Sequence, residues 1–131
     1  NWSTSWASNG RNAANNSPAY YLPAGTANSG SELLSFRIPA PFAGYVTNLW
    51  ANLLAGSGAV QASTNCGVTL FTNGVASNFH GELLGDGTRT IINVTNDGLY
   101  VTAGTLMSLQ VSNNSASAVS FTFNGTLQIV P

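Results

Sequence analysis

The sequence predicts an all-β chain, an antiparallel sandwich or barrel of about eight or nine strands. Apolar and polar residues alternate in short runs from residue 31 onward, the period-two signature of half-buried strands. These runs recur about every ten to twelve residues and are separated by glycine, proline and asparagine, as turns require. No segment shows the roughly 3.6-residue period of an amphipathic helix. At 131 residues the chain is the size of one domain and should bury roughly two-thirds of its unfolded surface.

Residues 1–30 stand apart. They are dense in Asn, Ala, Ser and Gly and show no periodicity, yet carry Trp2, Trp6, Tyr20 and Tyr21. Each such ring can bury roughly 150–250 Å², so an extended arm clasping its own sandwich or a neighbouring subunit is the preferred reading. The folded domain then spans residues 31–131. Its first run, Glu32 to Ile38, places Leu34, Phe36 and Ile38 on one face before Pro39 and Pro41 end it. Gly44 to Leu53 follows, with Val46 and Trp50 on one face and Tyr45, Thr47 and Leu49 on the other. Val60–Ser63 reads as a short strand and Gly67–Thr72 as a firmer one. Asn73-Gly74 supplies the strongest short hairpin cue, with Val75–Phe79 returning. Gly81 to Gly87 is polar and glycine-rich, and Thr88–Val94 is the next strand. Asn96-Asp97-Gly98 reads as a turn before Leu99 and Val101. Thr105, Met107, Leu109 and Val111 then alternate cleanly with Leu106, Ser108, Gln110 and Ser112. Val119, Phe121 and Phe123 precede a turn or bulge at Asn124-Gly125, and Leu127 and Ile129 close the chain.

Composition excludes several functions. Charged residues are 5% of the chain, against roughly 25% in ordinary domains. Three arginines without a lysine leave no basic footprint for nucleic acid. No apolar run is long enough for a transmembrane helix, so membrane insertion is not expected. The single Cys66 precludes an intrachain disulfide and reads as a buried core thiol. With 16 Asn, 15 Ser and 13 Thr, the surface offers neutral hydrogen-bonding groups. Such a surface can meet sugar hydroxyls, or pack against protein without desolvating charge.

Candidate chemistry is sparse. His80 precedes Gly81 and Glu82, the only arrangement resembling a base and its orienter, but nothing places Ser77 or Thr88 beside it as nucleophile. It reads as a loop or rim histidine with a local hydrogen bond. Asp86 and Asp97 sit in glycine-flanked turns, where Asp bonds nearby backbone, and too few carboxylates gather for calcium. Glu32 and Glu82 lack any spacing that marks a glycosidase pair. No catalytic residue, metal site or cofactor is expected. Arg37 and Arg89 could anchor a seam between subunits, and Trp50 and His80 complete the expected interface or ligand contacts.

Val68–Val75, Thr90–Thr95 and Val101–Ser115 together resemble the C1q/tumour-necrosis-factor-like heads of bacteriophage fibres, spikes and collagen-like surface proteins. There a strand, an Asn-Gly turn and a returning strand precede a glycine-punctuated strand of alternating apolar residues. Val101, Gly104, Leu106, Ser108, Gln110 and Ser112 occupy that pattern, with Met107, Leu109 and Val111 facing inward. The resemblance covers residues 32–130 and implies a jelly roll, a homotrimer and exposure on a virion. The chain departs from the pattern in having no Gly-x-y stalk before residue 31 and no acidic residue beside Gly104.

These readings converge on a jelly-roll-like antiparallel β-sandwich of eight to ten strands. The expected function is a non-enzymatic virion surface protein, a capsid decoration or spike. Its expected partners are its own copies and a major capsid, tail or spike protein. A receptor- or glycan-binding head of a phage tail fibre is the second expectation, with host surface glycan as partner. A cellular carbohydrate-binding module, extracellular or on a bacterial surface, is the third.

Overall fold

In the computed structural model the backbone is described for residues 2–13, 17–22, 34–55, 65–84, 89–113 and 119–131, and side chains for a subset of these. Nine strands run through the described residues: β1 (Trp2–Ala13), β2 (Ser17–Leu22), β3 (Ile38–Pro39), β4 (Gly44–Ala55), β5 (Asn65–Thr72), β6 (Val75–Leu84), β7 (Arg89–Val101), β8 (Leu106–Asn113) and β9 (Val119–Val130). They form two antiparallel sheets, one ordered β1-β9-β4-β7 and the other β2-β8-β5-β6, with β3 also on β8. Leu22 pairs with Leu109 and Ile38 with Met107, so β2 and β3 occupy successive stretches of one edge of β8. Together they count as one strand position.

The pairing is nested. β1 lies on β9, β2 and β3 on β8, β4 on β7, and β5 on β6. A chain paired this way is one long hairpin with its tip at Asn73-Gly74. Rolling it up brings β9 against β4 and β8 against β5, which is the jelly roll. Asn73 (φ 50°) and Gly74 (φ 82°) both take positive φ, as the two-residue hairpin turn demands. Burial drives the rolling. Met107, Leu109 and Val111 of β8 meet a core of Val46, Leu49, Val68, Leu70, Phe79, Leu127 and Ile129, all nearly or wholly removed from water. Each such side chain is worth roughly 1.5–3 kcal/mol.

The alternation expected along β8 holds, with one addition: Ser108, on the polar side, is also fully buried, opposite Phe71 of β5. Elsewhere irregularities alter the expected pattern. Val46 and Leu49 are both buried although three residues apart, because the register of β4 against β9 slips by one residue between Val46 and Asn48. This bulge returns Leu49 to the face of Val46 and corrects the reading that set them on opposite faces. Asn96-Asp97-Gly98 is no turn: β7 continues through it. Five residues of β7, Thr95 to Leu99, there face three of β4, Val46 to Asn48. Gly98 takes φ +94°, and a Cβ on it would lie 3.1 Å from Cδ1 of Tyr45. Asn124-Gly125 makes neither turn nor bulge, since β9 is bonded on both sides there, to Trp6 and Ala51.

Two further expectations change. The described part of the run expected as a strand over Glu32–Ile38 is not one strand, because Leu34–Phe36 forms a 3-10 turn closed by Arg37 N–H donating to Leu34 O at 3.2 Å. Leu34 is 72% exposed, and only Ile38–Pro39 pairs. β6 runs beyond Phe79 to Leu84, held by pairing of His80–Leu84 with Thr69–Asn65. The segment read as an arm contributes β1 to one sheet and β2 to the other. Val60–Ser63 lies outside the described residues.

Leu109→Ala should lower unfolding stability by about 2–5 kcal/mol, the range for a fully buried leucine. Gly98→Ala should cost about 1–3 kcal/mol through its positive φ and the Tyr45 contact. Denaturant titration checks both, and a neutral Gly98→Ala would show that the bulge adapts.

Candidate functional site

Three surface features come from this framework. The first is an aromatic pair on the outer face of the β1-β9-β4-β7 sheet. Tyr45 of β4 pairs in register with Tyr100 of β7 and with Val130 of β9. Val46 and Val101 point into the core, so period two sends Tyr45 and Tyr100 outward. Their centroids are 5.2 Å apart at 64°, an edge-to-face contact, worth roughly 0.5–1.5 kcal/mol. Even so, Tyr45 remains 47% and Tyr100 55% exposed. The glycine at position 98 gives the Tyr45 ring its seat.

The second is a cavity of about 230 Å³ at one end of the sandwich, lined by Thr72, Asn73, Leu99, Tyr100, Thr102 and Thr105 among others. Its walls are fixed by main-chain bonds. Asn73 N–H donates to Leu106 O at 2.7 Å, while Leu106 N–H donates back to Asn73 Oδ1 at 3.0 Å. Ala40 N–H donates to Thr105 O and Gly104 N–H to Ala40 O, both at 2.8 Å. Gly104 takes φ +83°, which lets the β7–β8 connection turn back within that clamp. Thr102 Oγ1 and Thr105 Oγ1 lie 3.1 Å apart. The hairpin tip and the β7–β8 connection are thus tied into one rim.

The third is His80, placed within β6 rather than in a loop. Its Nδ1 lies 2.6 Å from Oγ1 of Thr69, its register partner on β5. Thr69 is buried and His80 exposed. Three residues earlier on β6, the Ser77 hydroxyl donates to Leu70 O at 2.6 Å and accepts from Phe79 N–H at 3.1 Å. Those bonds shape the slip in register between Thr69 and Phe71 and bring Phe79 into the core. The imidazole is oriented by a hydroxyl, an arrangement that positions the ring. The side chain of Glu82, its expected companion, lies outside the described residues. Among the described residues no three His, Cys, Asp or Glu side chains gather as a metal site needs.

Other expected contacts are placed by backbone alone. Trp2 and Trp6 pair with Ile129 and Gly125, Tyr20 and Tyr21 with Val111 and Gln110, and Trp50 with Asn93 and Thr126. Arg89 begins β7 opposite Leu54. The side chains of these residues, and of Cys66, lie outside the described set. Arg37 is half-buried after the 3-10 turn. Sequence reasoning had placed Tyr45 away from Val46 but gave it no role, and Tyr100 was not singled out. Their one-residue offset from buried valines was visible, whereas their register across β4 and β7 was not. No protein-family model and no curated protein matches the chain. Among the described residues no helix is long and apolar enough to cross a membrane.

Thr69→Val preserves the branched shape but removes the hydroxyl beside His80. It should destabilise the sandwich by about 0.5–1.5 kcal/mol and broaden the ring-proton resonances of His80. An unchanged His80 spectrum would mean that other contacts hold the ring.

Proposed function

We propose that this chain is a non-enzymatic building block of a virion surface, a capsid decoration or spike, acting as a homotrimer. The observation that carries the reading is the exposed Tyr45–Tyr100 pair on the β1-β9-β4-β7 face, in a chain with 5% charged residues. Half-exposed aromatics in edge-to-face contact can be covered without desolvating charge, and aromatic rings are favoured at the centres of protein interfaces. A net charge of −1 gives copies little mutual repulsion. The jelly roll supports the proposal as a fold that viral capsid domains use. The resemblance of Val68–Val75 and Val101–Ser115 to trimeric phage heads supplies the virion and the threefold symmetry. The receptor- or glycan-binding head remains as a second reading, favoured by the neutral cavity at the end of the sandwich.

Light scattering at micromolar concentration should give three times the 13.5 kDa protomer mass. Tyr100→Asp, which alters a side chain already more than half in water, should yield a folded monomer. Val75→Asp, at another exposed position, should leave the trimer intact. A monomeric parent protein, or a trimer indifferent to Tyr100→Asp, would refute the interface. The trimer should also change little between about 50 mM and 500 mM NaCl, since there are few charges to screen.

A further inference from the structure

We infer that the cavity between the β5–β6 hairpin tip and the β7–β8 connection is a binding site for one ring of a neutral saccharide. Its size sets the first limit. About 230 Å³ falls below the roughly 300–1,000 Å³ of sites for drug-sized ligands, so the occupant is a single small unit, such as the terminal residue of a glycan. Its chemistry sets the second. Among the described residues the lining holds no Asp, Glu, Lys, Arg or His, and its hydroxyl and amide groups give a phosphate, carboxylate or ammonium ion no counter-charge for the hydration it would lose. What the lining does hold is three threonines, Thr72, Thr102 and Thr105, the last two with hydroxyls bonded to each other, and Asn73. Each hydroxyl both donates and accepts, as a sugar hydroxyl does. Asn73 commits its Oδ1 to Leu106 N–H, which fixes the amide and leaves donor capacity on Nδ2. Leu99 and Tyr100 add apolar surface for the C–H face of a ring.

Preorganisation is the third point. The four main-chain and side-chain bonds that join Asn73 to Leu106 and Ala40 to Thr105 and Gly104 hold the rim before any ligand arrives. Binding then spends little on ordering the site. Few polar contacts and an open mouth give weak, millimolar affinity per ring. Repetition of the site in an assembly would raise the avidity, but the site itself lies on one protomer and does not depend on the trimer.

The test is an amide-resolved NMR titration with the methyl glycosides of glucose, galactose, mannose and N-acetylglucosamine, with inorganic phosphate and gluconate as charged controls. At least one glycoside should shift the amides of Asn73, Thr102 and Thr105 saturably, while the controls leave them unmoved. Asn73→Asp keeps the Oδ1 acceptor and the turn but removes the Nδ2 donor, and should weaken binding about tenfold. Thr102→Val, at an exposed position, should weaken it similarly while lowering thermal stability only by the one hydroxyl bond it makes to Thr105. Absence of saturable shifts for all four glycosides, shifts confined to other surfaces, or equal response to phosphate would overturn the site. Repeating the titration on Tyr45→Asp, which breaks the exposed tyrosine pair at a residue outside the cavity lining, separates the two proposals, because saccharide shifts at Asn73 and Thr102 report the cavity whether or not copies associate.

Discussion

Everything in this molecule depends on β8 being buried on its apolar face while bonded along both edges. Met107, Leu109 and Val111 insert between the sheets, and the same strand is flanked by β5 on one side and by β2 and β3 on the other. Strand register has a period of two, so a one-residue slip of β8 would move its whole apolar set to the wrong face. Fixing β8 therefore fixes β5, and through the hairpin tip it fixes β6. The hydrogen bonds between Asn73 and Leu106 tie that tip to the first residue of β8, so turn and core enforce the same register.

The bulges then decide what the surface presents. A plain β4 would carry Leu49 outward; the slip after Val46 brings it in while leaving Tyr45 on the outer face. The matching irregularity in β7 needs a residue at positive φ without a side chain, and Gly98 meets both conditions beneath the Tyr45 ring. On the other sheet, Ser77 satisfies local backbone groups so that Phe79 turns inward and His80 outward. Each irregularity thus aims a side chain, the usual use of bulges near functional surfaces.

The fold class, the hairpin at Asn73-Gly74 and the inward face of β8 were legible in the sequence because each is a local pattern: alternation, or a dipeptide that tolerates positive φ. What depended on long-range pairing was not. Asn96-Asp97-Gly98 and Asn124-Gly125 carry the same turn-forming residues as Asn73-Gly74. Long-range pairing overrides both: β4 pairs with Thr95 and Leu99 on either side of the first, which becomes a bulge, and β1 and β4 pair with the second directly. Leu34 and Phe36 sit at strand spacing yet form a 3-10 turn, since only Ile38 and Pro39 reach β8. Of the candidate surfaces, the neutral character was visible in composition. The meeting of Tyr45 with Tyr100, and of Asn73 with Thr102, required the roll of the nested hairpin.

That roll also governs how the domain bears force. Trp2 lies beside Ile129 on adjacent antiparallel strands, so the start of β1 and the end of β9 lie at the same end of one sheet. Tension applied across both ends would peel β1 from β9 one hydrogen bond at a time, an unzipping geometry with low mechanical resistance. A load carried by β1 or β9 alone would not pull that ladder apart.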